Sequence, residues 1–164
     1  MRTSRIAGRF ALAGALALLA GCASRAQRPA VAARAFPDAV PAVWGVRLGD
    51  SAARVDSVLG PATSSRRLMA DAVLRRHADR DLELVTTGDQ GVAMVFCYGP
   101  RAVVAGARVG MGEPALLALW GAPYRRYDGG GLGYKAATWG AAVRFGEGRE
   151  VAEIQLGLTD PNAR

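Results

Sequence analysis

Apolar positions along this chain follow two spacings, and stretches of each kind alternate. In AARVDSVL (residues 52–59), Val55, Val58 and Leu59 fall at i, i+3 and i+4, which is one face of a helix. In EPALLALW (113–120), Leu116, Leu119 and Trp120 repeat that face. Ser51 is placed to cap the first helix through its hydroxyl. Gly112 occupies the same slot in the second, with Pro114 in the first turn, where a missing N–H is harmless. Gly60 and Gly121 supply the left-handed residue that ends each helix, and Pro61 and Pro123 follow. Gly49 and Gly110, Val55 and Leu116, Val58 and Leu119, Leu59 and Trp120, and Gly60 and Gly121 are all 61 positions apart. Cap, apolar face and terminator have separate physical causes, so a constant offset through all three points to an internal repeat.

Between these helices the spacing shifts towards two. After the first come DAVLRRHA, DLELVTT and GVAMVFCYG; after the second come GLGYKAAT, GAAVRFGEG and EVAEIQLGL. Val143 and Phe145 alternate with Arg144, and Ala152, Ile154 and Leu156 oppose Glu153 and Gln155. TGDQG (87–91) and GEGRE (146–150) read as hairpin turns at matching places. By the repeat, Met94, Phe96 and Tyr98 are expected on the core face of the first unit. The expectation is an α+β chain of two tandem units, 44–102 and 103–160, each a short helix followed by a three-stranded antiparallel meander. A unit of under about 60 residues buries too little surface to be stable by itself, so the two are expected to share a sheet edge or a core.

The N-terminus carries a different signal. Arg2, Arg5 and Arg9 precede the apolar run Phe10–Ala20, and LAGC follows at Leu19–Cys22. Eleven apolar residues are too few to span a bilayer, which takes about 20. The order resembles a bacterial lipoprotein signal: residues 1–21 removed by cleavage between Gly21 and Cys22, and Cys22 then lipidated. Ala23 and Ser24, rather than Asp, follow Cys22, which implies the periplasmic side of the outer membrane. Residues 22–43 are rich in Ala, Arg and Pro, with Pro29, Pro37 and Pro41 against a regular helix; they read as a flexible tether of roughly 25 Å mean reach. Removing three arginines with the signal leaves 18 basic against 14 acidic residues, so the formal charge falls from +7 to about +4. That scattered charge argues against a nucleic-acid partner.

Candidate chemistry is sparse. Cys97 lies in an apolar run and reads as a core residue rather than a nucleophile. His77 is the single histidine; with Asp79 and Asp81 it forms an H-x-D-x-D string poorer in His and Cys than zinc sites usually are, and it reads as a charged strand end. Neither a nucleophile elbow nor a phosphate-binding loop is present: DGGGLG (128–133) does not link a strand to a helix. The sequence therefore predicts no enzyme, cofactor or metal. Tyr124, Arg125, Arg126 and Tyr127, in one loop, have the residue types that anchor protein interfaces, and they are the candidate contact residues.

The helix motifs Gly49, Ser51, Val55, Leu59, Gly60, Pro61 and Gly110, Gly112, Leu116, Trp120, Gly121, Pro123, with the strands after them, resemble the β-lactamase-inhibitor-protein-like fold over Trp44–Leu158. That fold includes the SmpA/OmlA outer-membrane lipoproteins, one of which is the smallest subunit of the β-barrel assembly machine. The SmpA-type lipoprotein carries one such unit, and this chain reads as two. The resemblance implies a non-enzymatic envelope-assembly or protein-binding module whose partner is an envelope protein. The alternative is a lipid-anchored inhibitor of a periplasmic or external hydrolase.

Overall fold

The computed structural model describes residues 35–159. The signal segment, Gly21, Cys22 and most of the expected tether lie outside the described residues. Helix α1 spans Ala52–Leu59 and α2 spans Glu113–Trp120, again 61 positions apart. Ser51 Oγ accepts the Arg54 N–H at 3.2 Å, satisfying one of the unpaired donors at the start of α1. Gly60 and Gly121 end the helices at φ 78° and 75°, each donating its N–H to the carbonyl four residues back. Val55 and Leu59 of α1, and Leu116 and Trp120 of α2, are buried. Full burial of side chains this size stabilises by about 1.5–3 kcal/mol each.

Ahead of each helix the chain makes the same tight turn. Val43 and Val46 exchange main-chain hydrogen bonds of 2.8 and 3.0 Å across Trp44–Gly45; Val104 and Ala107 do so at 2.8 Å across Ala105–Gly106. All four central residues have positive φ, between 46° and 85°, as a two-residue hairpin turn of this hand demands. A Cβ at Gly45 would lie 3.2 Å from Val58 Cγ1, and one at Gly106 3.2 Å from Leu119 Cδ2, so each turn is pressed against its helix.

The strands are β1 (Ser64–Arg67), β2 (Ala72–His77), β3 (Leu82–Thr87), β4 (Gly91–Cys97), β5 (Arg125–Arg126), β6 (Leu132–Lys135), β7 (Trp139–Phe145) and β8 (Val151–Leu158). They form one antiparallel sheet in the order β1-β2-β3-β4-β8-β7-β6-β5. The expected α+β architecture of two helix-plus-three-strand units is thereby corrected. The protein is mainly β, with a single eight-stranded sheet and two short helices. Each helix is followed by four strands rather than three. The missed strands, β1 and β5, are SSRR and RR, fully exposed at the two edges of the sheet. They carry no apolar alternation because neither face of an edge strand here needs to be buried, and arginines there discourage pairing with another chain. The two halves fuse because β4 pairs with β8, with Cys97 opposite Ile154 and Val95 opposite Leu156.

One face of the sheet is covered by both helices. Leu82, Leu84, Val95, Cys97, Leu132, Val143, Ile154 and Leu156 share a single core with the buried residues of α1 and α2. The expectation that Met94, Phe96 and Tyr98 face this core is corrected: Val95 and Cys97 do, and Tyr98 is 43% exposed. The run VAMVFCY is apolar on both faces, so its alternation does not identify the inner one. Pairing with Ile154 and Leu156 does.

The ordered part also begins earlier than Trp44. Phe36, within the stretch read as tether, packs against Trp139, Tyr134 and Trp120 at ring-centroid distances of 4.5, 5.2 and 5.2 Å. The Trp139 indole N–H donates to the Asp38 carbonyl at 3.1 Å.

Candidate functional site

The face of the sheet opposite the helices has no covering element among the described residues. By strand alternation it carries Leu74 and Arg76 of β2, Glu83 and Val85 of β3, and Met94 and Phe96 of β4. Beyond the central seam lie Glu153, Gln155 and Gly157 of β8, Gly140, Ala142 and Arg144 of β7, and Gly133 and Lys135 of β6. Its middle is apolar: Phe96 stacks on Tyr98 with rings 6° from parallel and 6.4 Å apart.

Small residues on three neighbouring strands leave the backbone bare next to that strip. Gly133 is opposite Ala142, Gly140 is opposite both Lys135 and Gly157, and Gly157 is opposite Met94. Tyr124 and Tyr127 lean over this floor: a Cβ on Gly133 would meet Tyr124 Cε1 at 3.0 Å and the Tyr127 hydroxyl at 3.1 Å. The result is a depression of about 320 Å³, open to solvent, with Met94 on one side and Tyr124, Tyr127 and Lys135 on the other. Glycine inside three successive strands was the signal in the sequence, since an interior strand Gly often marks a place where something approaches the backbone closely. A second depression, of about 600 Å³, lies between the start of α1 and the β3–β4 turn; Asp89 is the one charged residue lining it, and it has no aromatic wall.

The four loop residues predicted as a contact surface do not stay together. Tyr124 (61% exposed), Arg125 and Tyr127 (38%) are on the open side, with the Arg125 guanidinium 5.1 Å from the centre of the Tyr127 ring. Arg126 pairs with Leu132, whose side chain is in the core, and reaches the helix side, where its guanidinium bonds Glu113 Oε1 at 3.2 Å. Glu113 also receives the Arg149 Nε–H at 2.8 Å. The hydrogen bonds from Arg149 and then from Arg126, with the charges of both arginines, hold the Glu113 carboxyl below the usual carboxylate range. Glu113 thus joins Arg126 of β5 to Arg149 on the helix side of the sheet.

Charges on the other half of the open face are matched. Arg76 is 3.9 Å from Glu83, and Arg144 is 3.0 Å from Glu153. The Tyr98 hydroxyl donates to Glu83 at 3.4 Å. Burial, and then the nearby Glu83 and Glu153, push the Tyr98 phenol up to about 12, so it remains a donor throughout the neutral range.

His77 and Cys97 belong to the interior rather than to this face. Cys97 is fully buried, and burial pushes its thiol up to about 12, far from a reactive thiolate. His77 does end β2, where a turn follows, but it is 1% exposed and its Nε2 has no hydrogen-bond partner. Among the described residues no group of three His, Cys, Asp or Glu side chains is arranged to hold a metal, and no helix is long and apolar enough to cross a membrane.

Burial first, then the positive charge of Arg75, lowers the His77 pKa from its ordinary 6.5; Asp79 and Asp56 oppose this and Arg80 adds to it. The unfolded chain therefore takes up a proton near pH 6.5 that the folded chain refuses until lower pH. The stabilising effect of the neutral imidazole is complete above pH 6.5 and is lost as the pH falls through the lowered value. Thermal melting is expected to move down between pH 7 and pH 5, and His77→Gln should flatten that dependence. Glu113, whose ordinary value is 4.5, contributes only at lower pH.

No protein-family model matches this chain, and no curated protein matches it. Solved structures do. A cysteine-rich secretory protein from Staphylococcus aureus superposes with a TM-score of 0.60 at 13% identity, over 76% of this chain and 47% of that one. An extracellular protein containing a SCP domain from Bacillus anthracis gives 0.57 at 8% identity, over 67% and 43%. A DUF4309 family protein from Bacillus subtilis gives 0.48 at 11% identity, over 67% and 79%. The chain spans less than half the length of the first two. At these identities the likeness to the first two is one of fold alone.

Proposed function

We propose that this chain is a non-enzymatic protein-docking module of the cell envelope. A lipid on Cys22 would hold it at the outer membrane, on the periplasmic side, and the open face of its sheet would be the docking surface. The observation that carries the reading is the run of apolar and aromatic groups on that face. Phe96 and Tyr98 stand on one side of a glycine and alanine floor, and Tyr124 and Tyr127 stand on the other. Tyrosines held rigidly on a sheet offer large contact area at a small entropic cost, which is why such residues dominate interface energetics. The lipoprotein-like signal and the resemblance to SmpA/OmlA lipoproteins support the location.

The test is recovery of cross-linked partners from intact cells, using a C-terminal tag and mild detergent. Three chains are compared: wild type, Cys22→Ala, and the triple variant Tyr98→Ser, Tyr124→Ser, Tyr127→Ser. All three tyrosines are exposed enough for folding to survive. A tyrosine anchor is worth about 2 kcal/mol or more, roughly thirtyfold in affinity, so the triple variant is expected to lose its partners. Envelope proteins recovered equally with the triple variant would overturn the open face as the docking surface. A soluble hydrolase recovered in their place would replace the assembly reading with the inhibitor reading.

A further inference from the structure

Charge is distributed unevenly over the open face. Its two carboxylates, Glu83 and Glu153, each have an arginine partner. Around the 320 Å³ depression the balance is different. No carboxylate lines it, and Lys135 stands at its rim. Arg125 lies against Tyr127 beside it. Among the described residues neither Lys135 nor Arg125 enters an ion pair, whereas Arg126, the next residue, is bound to Glu113.

The depression is also shaped for something flat. Its floor is the backbone at Gly140, Ala142 and Gly157, and its walls are the two tyrosines and Met94. A planar apolar group laid on that floor would meet the tyrosine rings at its edge and the Met94 thioether at its end, both favourable geometries. Met94 is also two residues from Phe96, so the depression runs into the apolar strip, and an occupant can continue across the sheet.

Resting on the docking reading above, we propose that this depression takes a large aromatic side chain of a partner protein, flanked by at least one carboxylate that meets Lys135 and Arg125. The aromatic group supplies the buried contact. The carboxylate pairs with cations that have no partner within the chain, so it selects acidic segments over basic ones. Extension of the apolar surface towards Tyr98 favours a segment of protein over a free small acid.

Two substitutions separate the contributions. A Cβ on Gly157 would meet only the Ala93 carbonyl oxygen, at 3.9 Å, so the side chain of Gly157→Val starts in open space and occupies the depression. Lys135→Glu reverses the charge at the rim on an exposed side chain. The full chain, in mild detergent, is titrated with acetylated, amidated Asp-Trp-Asp, with Lys-Trp-Lys, and with indole-3-acetate, following the backbone amides of Lys135, Gly140 and Gly157 by NMR. The acidic peptide is expected to shift these amides and to bind about tenfold tighter than the basic one. Lys135→Glu, which leaves Arg125 facing a carboxylate, should abolish that preference, and Gly157→Val should abolish binding with melting unchanged. Equal binding of the two peptides, or shifts confined to other residues, would overturn the proposal. Indole-3-acetate binding as tightly as the acidic peptide would overturn the choice of a protein segment. In the cell cross-linking experiment, partners lost with the tyrosine variant but retained with both Gly157→Val and Lys135→Glu would remove this pocket and leave the docking face standing. Absence of any partner with wild type would remove the docking reading itself, and the peptide titration would still decide the pocket.

Discussion

Replacing Trp120 with alanine is expected to lower the unfolding free energy by about 3–5 kcal/mol, the usual cost of emptying a buried aromatic site. Trp120 is 1% exposed and ends α2. Its ring meets Phe36 and Tyr134 edge-on, at 5.2 and 5.1 Å. Its indole N–H donates to the Ala105 carbonyl at 3.1 Å, joining the helix to the tight turn that precedes it. The alanine variant loses the core volume, the aromatic pairs and this link together. Domains of this size have only about 5–15 kcal/mol of stability, so a substantial unfolded population is expected at 37 °C. Urea denaturation followed by far-UV circular dichroism measures the change; a loss below about 1 kcal/mol would mean that the cluster repacks around the gap. The Phe36 arm should loosen with it, visible as faster exchange of the Trp139 indole N–H, which donates to the Asp38 carbonyl.

Gly91→Ala is the second large expected effect, about 3 kcal/mol. Gly91 has φ +68°, and a Cβ there would run into the Asp50 carbonyl oxygen and lie 2.8 Å from that of Gly49. A side chain in this conformation costs about 1–2 kcal/mol before any clash is counted. Relieving the clash would pull apart two main-chain hydrogen bonds of 2.8 Å, from Gly49 N–H to Val92 and from Val92 N–H to Asp50, each worth about 1 kcal/mol. These bonds hold the start of β4 against the loop entering α1. Gly88, in the same hairpin, has open space around its Cβ position. Gly88→Ala is therefore expected to stay within about 0.5 kcal/mol of wild type. Equal effects of the two substitutions in urea denaturation would refute the close approach at Gly91.

The candidate site was partly legible. Tyr124, Arg125 and Tyr127 stand on the open face, as a contact loop requires. Arg126 does not join them, because consecutive residues of a strand point to opposite faces and β5 is a strand rather than a loop. No local pattern marked RR as a strand, since only its hydrogen bonds to β6 make it one. The depression was signalled weakly by Gly133, Gly140 and Gly157, which lie in strands where glycine is otherwise unfavourable. Their convergence depends on three strand registers at once. The aromatic slot that receives Phe36 was hidden for a similar reason: Trp139 bonds Asp38 across 101 residues of sequence.

What the sequence determined by itself was local. Caps, i/i+3/i+4 faces and terminating glycines placed both helices, because each signal acts within four residues of its cause. Alternation located β7 and β8, and short apolar runs at matching places in the two halves located four more strands and two of the hairpin turns, for the same reason. Tertiary structure alone decided that one sheet runs through both halves, that Val95 and Cys97 rather than Met94 and Phe96 face the helices, and that the tyrosines overhang a bare floor. The first two follow from β4 pairing with β8, between residues some 60 positions apart, and the third from the registers that join β5, β6, β7 and β8. A strand apolar on both faces carries no record of which partner it will meet. Its inner side is set by the register that buries the most apolar surface against the helices.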